Sequence, residues 1–115
     1  MSARPTYTKK DKNHNALVKE LRQVGYTVVD VANLPGRALD IFVGGYDHTT
    51  SAWAWVQVEI KESRKARFTE SERAYFCELG ITDPWICRDN VAVIAAVTAE
   101  DVLRWFGATI MSLAI

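Results

Sequence analysis

The chain has 115 residues, 49% hydrophobic and 24% charged, the size and balance of one soluble globular domain. That composition excludes a disordered tail or a collagen-like repeat, and the longest apolar run, seven residues at 91–97, is far short of the roughly 20 needed to span a bilayer. Fourteen basic side chains balance fourteen acidic ones, which argues against a non-specific nucleic-acid coat and leaves local basic patches as the places where phosphate could be met.

The first dozen residues hold Arg4, Lys9, Lys10 and Lys12 against one Asp11 and read as a loose basic arm. No apolar stretch there could serve as a secretory signal, so we read the protein as intracellular, in the cytoplasm. A helix is predicted from Asn13: Ala16, Leu17, Leu21 and Val24 recur at helical spacing, and Gly25 stops it. Residues 26–31 are β-branched and aromatic and predict a strand. A Pro35-Gly36 turn follows, and Leu39, Ile41 and Val43 alternate in a second strand that Gly44-Gly45 should end. Residues 53–61 predict a third strand, with Ala54, Val56, Val58 and Ile60 on one face and Trp53, Trp55, Gln57, Glu59 and Lys61 on the other.

Thr69-Glu-Ser-Glu72 is a capping box that opens a helix running to Leu79, with Gly80 at its end. Residues 85–87 predict a short strand and 91–97 another, although a buried helix also fits the second run. Thr98 caps a last helix, residues 99–106, ended by Gly107. Residues 13–107 thus form one body, and the apolar tail 108–115 either packs on it or meets a second copy. Helix, three strands, helix, strand, helix is an α/β or α+β order with a small mixed sheet. The two cysteines, Cys77 and Cys87, show no metal-ligand spacing and read as small buried thiols.

Chemistry concentrates in Asp40 and, nineteen positions later, Glu59-Ile60-Lys61. Residues two apart on a strand project to the same side, so Glu59 and Lys61 share a face. If the second and third strands pair, Asp40 lies beside Glu59. Two carboxylates with one ammonium suit Mg²⁺, which takes one or two carboxylates and keeps water and phosphate oxygens for the rest, while the lysine offsets charge building at phosphorus. The alternative for Glu59 and Lys61 is a cross-strand ion pair on a solvated sheet.

Pro35-Gly-Arg-Ala-Leu-Asp40-Ile-Phe-Val-Gly, then Val56-Gln-Val-Glu59-Ile-Lys61, then Phe68-Thr-Glu-Ser-Glu72 resembles the PD-(D/E)XK nuclease superfamily. Within it, the chain is most similar to the small phage-type VRR-NUC and Holliday-junction-resolvase-like nucleases, and Asp11-Lys-Asn-His14-Asn-Ala-Leu-Val is similar to their first helix. The likeness spans roughly residues 11–80. It implies a restriction-endonuclease-like αβββαβ core of the α/β class, with a small mixed sheet flanked by helices. It also implies Mg²⁺- or Mn²⁺-dependent hydrolysis of DNA phosphodiesters, leaving a 5′-phosphate and a 3′-hydroxyl. Asp40 and Glu59, with the Ile60 backbone carbonyl, would be the metal ligands, and Lys61 the catalytic lysine. Related resolvases work as homodimers on branched DNA, for which the apolar tail is a candidate element. The chain departs from the pattern in having Leu39 where a proline is usual, Glu72 in place of a glutamine, and Asn13, His14 and Asn15 where related resolvases carry a first-helix glutamate.

Other residues carry two readings. Gln57 shares the site's face and either touches phosphate or water there or is plainly solvated. His14 is either a structural histidine or a contact to a metal water or a phosphate. Glu72 is read first as the capping residue of its helix, with a place in the site as the alternative. Arg37, Arg64, Lys65 and Arg67 are assigned to phosphate contact because they flank the proposed site. Trp53 and Trp55 are expected to pack under a helix, with base stacking as the alternative.

Overall fold

The computed structural model describes residues 12–34, 39–85 and 92–108. Among these the elements run α1 (His14–Gln23), β1 (Thr27–Asp30), β2 (Ile41–Asp47), β3 (Ala52–Ile60), α2 (Glu70–Glu78), β4 (Val93–Ala96) and α3 (Ala99–Trp105). The four strands form one mixed sheet in the order β1-β2-β3-β4, antiparallel up to β3 and parallel between β3 and β4. A parallel pair needs a crossover, and α2 lies in it. The described residues thus make an α/β fold of three helices on a four-stranded sheet.

Hydrophobic alternation decides which face each strand buries. Val28, Ile41, Val43, Val56, Val58, Ile60, Ile94 and Ala96 turn to one side and meet Leu17, Val18 and Leu21 of α1 and Val102, Leu103 and Phe106 at α3. Each fully buried side chain of this kind contributes roughly 1.5–3 kcal/mol. On the opposite face, α2 is the only described helix, and there Phe76 joins Leu39 and Val93, with Phe68, Tyr75 and Ile81 at the margin. Three buried residues against sixteen in the main cluster mean that α2 roofs only one end of that face.

Caps behave as the sequence implies. Thr69 and Glu72 close a capping box at α2, and Thr98 and Asp101 close another at α3. Gly25, at φ +101°, ends α1 in a conformation that only glycine adopts cheaply.

Three expectations are corrected. Gly44 and Gly45 do not end the second strand, which runs on to Asp47. They are there for close approach: a Cβ at Gly44 would sit 2.9 Å from the Trp55 ring, and one at Gly45 2.3 Å from the Tyr26 ring. Cys77 is exposed on α2 and not a small buried thiol, whereas the strand read in 91–97 is present over Val93–Ala96. Trp53 and Trp55 do not pack under a helix; they are 58% and 44% exposed on the open face. Trp85 lies in a turn, and Ile86 and Cys87, the rest of the short predicted strand, lie outside the described residues, as does the chain beyond Ala108. No helix among the described residues is long and apolar enough to cross a membrane.

Candidate active site

The register of β2 against β3 creates the site. Ile41 pairs with Val58, so one step further Asp40 stands opposite Glu59. The Asp40 N–H donates to the Val58 carbonyl at 3.1 Å, and its Oδ2 accepts from the Ile60 N–H at 2.8 Å. That pair of bonds locks the aspartate to the strand carrying Glu59 and Lys61. On the other side Glu59 is flanked by Ala95 of β4, a side chain small enough to leave space beside a carboxylate.

All three polar groups are buried: Asp40 is 7% exposed, Glu59 3% and Lys61 7%. Lys61 Nζ lies 3.6 Å from Glu59 Oε2 and 2.9 Å from Glu72 Oε1. It also donates to the Arg67 carbonyl at 3.2 Å and sits 5.1 Å from the centre of the Phe68 ring, a cation–π distance. Glu72 Oε1 accepts from the Thr69 N–H at 2.8 Å as well. The residue read first as a helix cap is therefore both a cap and the lysine's closest anion.

Among the described residues, Glu59 Oε1 is buried without a hydrogen-bond partner. Such an atom costs about 1–3 kcal/mol, more when charged. Burial, then the proton shared with the Glu72 carboxyl, then the Asp40 and Glu72 charges push the Glu59 carboxyl up to about 10, against the pull of Lys61. Burial also works to raise Glu72, but its bonds with Glu59, Lys61 and the Thr69 N–H outweigh it and hold that carboxyl below its ordinary value. Of the two carboxyls, Glu59 is the one pushed towards its protonated form.

The chemistry of the donors fits a hard divalent cation. A cation beside Asp40 and Glu59 would offset the burial and the like charges that raise Glu59, and would give Oε1 a partner. Among the described residues no three His, Cys, Asp or Glu side chains form a ready-made metal cage. Two carboxylates are the donor set that Mg²⁺ uses when water and phosphate complete its shell. Asp40, Glu59 and the Ile60 carbonyl are the groups that would hold it.

The remaining predicted residues divide. Gln57 lies on the site's face, its Oε1 accepting from the Tyr75 hydroxyl at 2.9 Å, which ties β3 to α2. Lys65 and Arg67 are exposed, in the loop whose Arg67 carbonyl covers Lys61. Arg64 is held by Asp101 at 2.6 Å and lies 5.1 Å from the Trp85 ring, so its guanidinium is already engaged. Arg37 lies outside the described residues. His14 is 1% exposed and bonded to Asp30 Oδ2 at 2.9 Å. Asp30 alternates with Val28 onto the α1 side of the sheet, so His14 sits across the sheet from Asp40 and Glu59.

One site-forming residue escaped the reading of the sequence for function. Asn13 precedes α1 without capping it, because its amide donates to the Lys61 carbonyl at 2.9 Å and the Val97 carbonyl at 2.6 Å. It fastens the end of β3, and Lys61 with it, to the end of β4. A run of short polar residues ahead of an apolar helix signals a helix start, but not a partner 48 positions away.

Searches against family models, curated proteins and solved structures return no match. The site rests on its own geometry.

Proposed function

We propose that the protein is a divalent-metal-dependent DNA endonuclease built on the restriction-endonuclease-like core that its sequence resembles. The observation that carries this reading is the convergence of Asp40, Glu59 and Lys61 on one buried patch, with a carboxylate oxygen of Glu59 unpartnered. The element order α1, β1–β3, α2, β4 is the order that the resemblance implies.

Bound Mg²⁺ or Mn²⁺ would supply Lewis-acid polarisation of a phosphate oxygen and a more acidic water. Asp40 and the ionised Glu59 carboxylate would hold the cation. Lys61, held between Glu59 and Glu72, orients the attacking water and balances the charge that grows on the phosphoryl oxygens. As the new oxygen–phosphorus bond forms, the attacking water loses a proton to solvent, the bond to the 3′-oxygen breaks, and that oxygen takes a proton from solvent. The products are a 5′-phosphate and a 3′-hydroxyl. Lys65 and Arg67, beside the lysine, position the neighbouring phosphates.

One observation favours a second reading. Glu72 Oε1 holds Lys61 at 2.9 Å, where an anion competes with phosphate for the ammonium; the same fold would then serve as a DNA-binding or assembly module. A cleavage assay separates the two. Labelled four-way junction, flap, single-stranded and duplex DNA are incubated with Mg²⁺ or Mn²⁺, with EDTA, and with the Lys61→Ala variant. The nuclease reading expects metal-dependent cutting that falls by about a hundredfold or more in Lys61→Ala, the usual cost of losing one charge-stabilising group. DNA bound without being cut on any substrate supports the module.

A further inference from the structure

The face of the sheet that carries Asp40 and Glu59 continues away from them as a row of aromatic side chains. Residues 40, 42, 44 and 46 of one strand and 53, 55, 57 and 59 of the next project to the same side, and the register places Phe42 beside Gln57, Gly44 beside Trp55 and Tyr46 beside Trp53. Beyond Gln57 no helix among the described residues lies over this face. Phe42, Tyr46, Trp53 and Trp55 are all exposed there, with Val29 at the β1 edge. Soluble domains rarely leave so many large apolar groups together in water without a use for them.

The two tryptophans have distinct postures. Trp55 lies over Gly44, where a Cβ would come within 2.9 Å of three atoms of its ring. The indole is thus laid against the backbone, with its outer side to solvent. Trp53 stands at 76° to it, ring centres 6.3 Å apart. Together they make a floor and a wall, open above. Flat aromatic floors on a sheet are how unpaired bases are stacked, as in the sheet surfaces of single-strand-binding modules. Inside a duplex both faces of a base are covered by its neighbours, so only an unpaired base can use such a floor. Among the described residues no carboxylate interrupts the face between Gln57 and Trp53, so a passing backbone meets no like charge from these strands.

We propose that Trp55 and Trp53 stack unpaired bases of the DNA strand being cut, which makes single-stranded or frayed DNA the preferred substrate. This rests on the reading that Asp40, Glu59 and Lys61 receive a phosphate. From Glu59 to Trp55 is four residues, about 13 Å along the strand, so the stacked bases belong to nucleotides close to the scissile one.

The test is fluorescence anisotropy of labelled dT12 and of a duplex of equal length, without divalent ions, so that binding is read apart from cutting. Wild-type protein should bind the single strand more tightly than the duplex. Trp55→Ala and Trp53→Ala should each weaken single-strand binding by about tenfold, the scale of one lost stacking contact, and Trp55→Phe should retain most of it. Far-ultraviolet circular dichroism checks folding; should Trp55→Ala unfold, the more exposed Trp53 and the Trp55→Phe comparison carry the test. Unchanged affinity in the folded variants overturns the proposal, as does equal or tighter binding of duplex by the wild type. So does a shift from dimer to monomer in the variants with DNA affinity intact, because the face would then belong to a second copy. Loss of binding in the tryptophan variants of a protein that cuts nothing would refute the chemistry and leave the platform standing. Metal- and Lys61-dependent cutting indifferent to both tryptophans would do the reverse.

Discussion

Asp101 and Glu59 are buried to nearly the same degree, 7% and 3% exposed, and live in opposite circumstances. Asp101 Oδ2 accepts from the N–H groups of Val97 and Thr98, and its Oδ1 takes Arg64 and Arg104. Burial tends to raise that carboxyl, but the two backbone bonds and then the arginines overcome it and hold it below the ordinary aspartate value. Glu59 has one ammonium at 3.6 Å, two neighbouring carboxyls and an oxygen with no partner. Burial alone therefore says little about a carboxylate. Asp101 is completed by the fold, which makes it structural, whereas Glu59 keeps one oxygen that nothing among the described residues partners.

If that contrast is correct, the two residues respond oppositely to neutralisation. Asp101→Ala should cost about 3 kcal/mol at pH 7, since it uncaps α3 and strands two backbone donors. Because the folded carboxyl lies below its unfolded value, that contribution is present above about pH 4 and is lost as pH falls through the depressed folded value. Urea melts of wild type and variant should therefore converge in acid.

Glu59→Gln should do the reverse. The folded carboxyl is raised from 4.5 to about 10, so its effect on stability is harmless below about pH 4.5 and grows as pH rises towards the folded value. Without metal, the variant should be more stable than wild type at pH 8, by about 2 kcal/mol, with the gap closing near pH 4.5. A variant less stable than wild type at pH 8 would place Glu59 with Asp101 as a structural carboxylate. A smaller effect sharpens the same contrast. Mg²⁺ at ten times its dissociation constant should stabilise the wild type by about 1.4 kcal/mol, seen as a rise in melting temperature, and should leave Glu59→Gln unmoved.

Much of this was legible in the chain itself, and the gaps have physical reasons. The order of elements, the Thr69–Glu72 box and the shared face of Glu59 and Lys61 follow from local periodicity and capping chemistry. Alternation shows which residues share a face but not what covers it. Trp53, Trp55, Gln57 and Glu59 form one series, and only the crossover through α2 decides that its Glu59 end is roofed and its tryptophan end open. Gly44-Gly45 reads locally as a stop; across the sheet it is space for the Trp55 and Tyr26 rings. Asn13 joins Lys61 and Val97 over 48 and 84 positions, and Glu72 reaches Lys61 across the capping turn, contacts that no local pattern encodes.

The most direct test of the central claim is calorimetric titration of Mn²⁺ or Mg²⁺ into the wild type and Glu59→Gln in two buffers of different ionisation enthalpy. The account predicts that the wild type binds the ion and releases protons, because the buried Glu59 carboxyl must ionise to take it, and that the variant shows little binding. Equal binding by the variant, or no binding by the wild type, would contradict a cation site at Asp40 and Glu59.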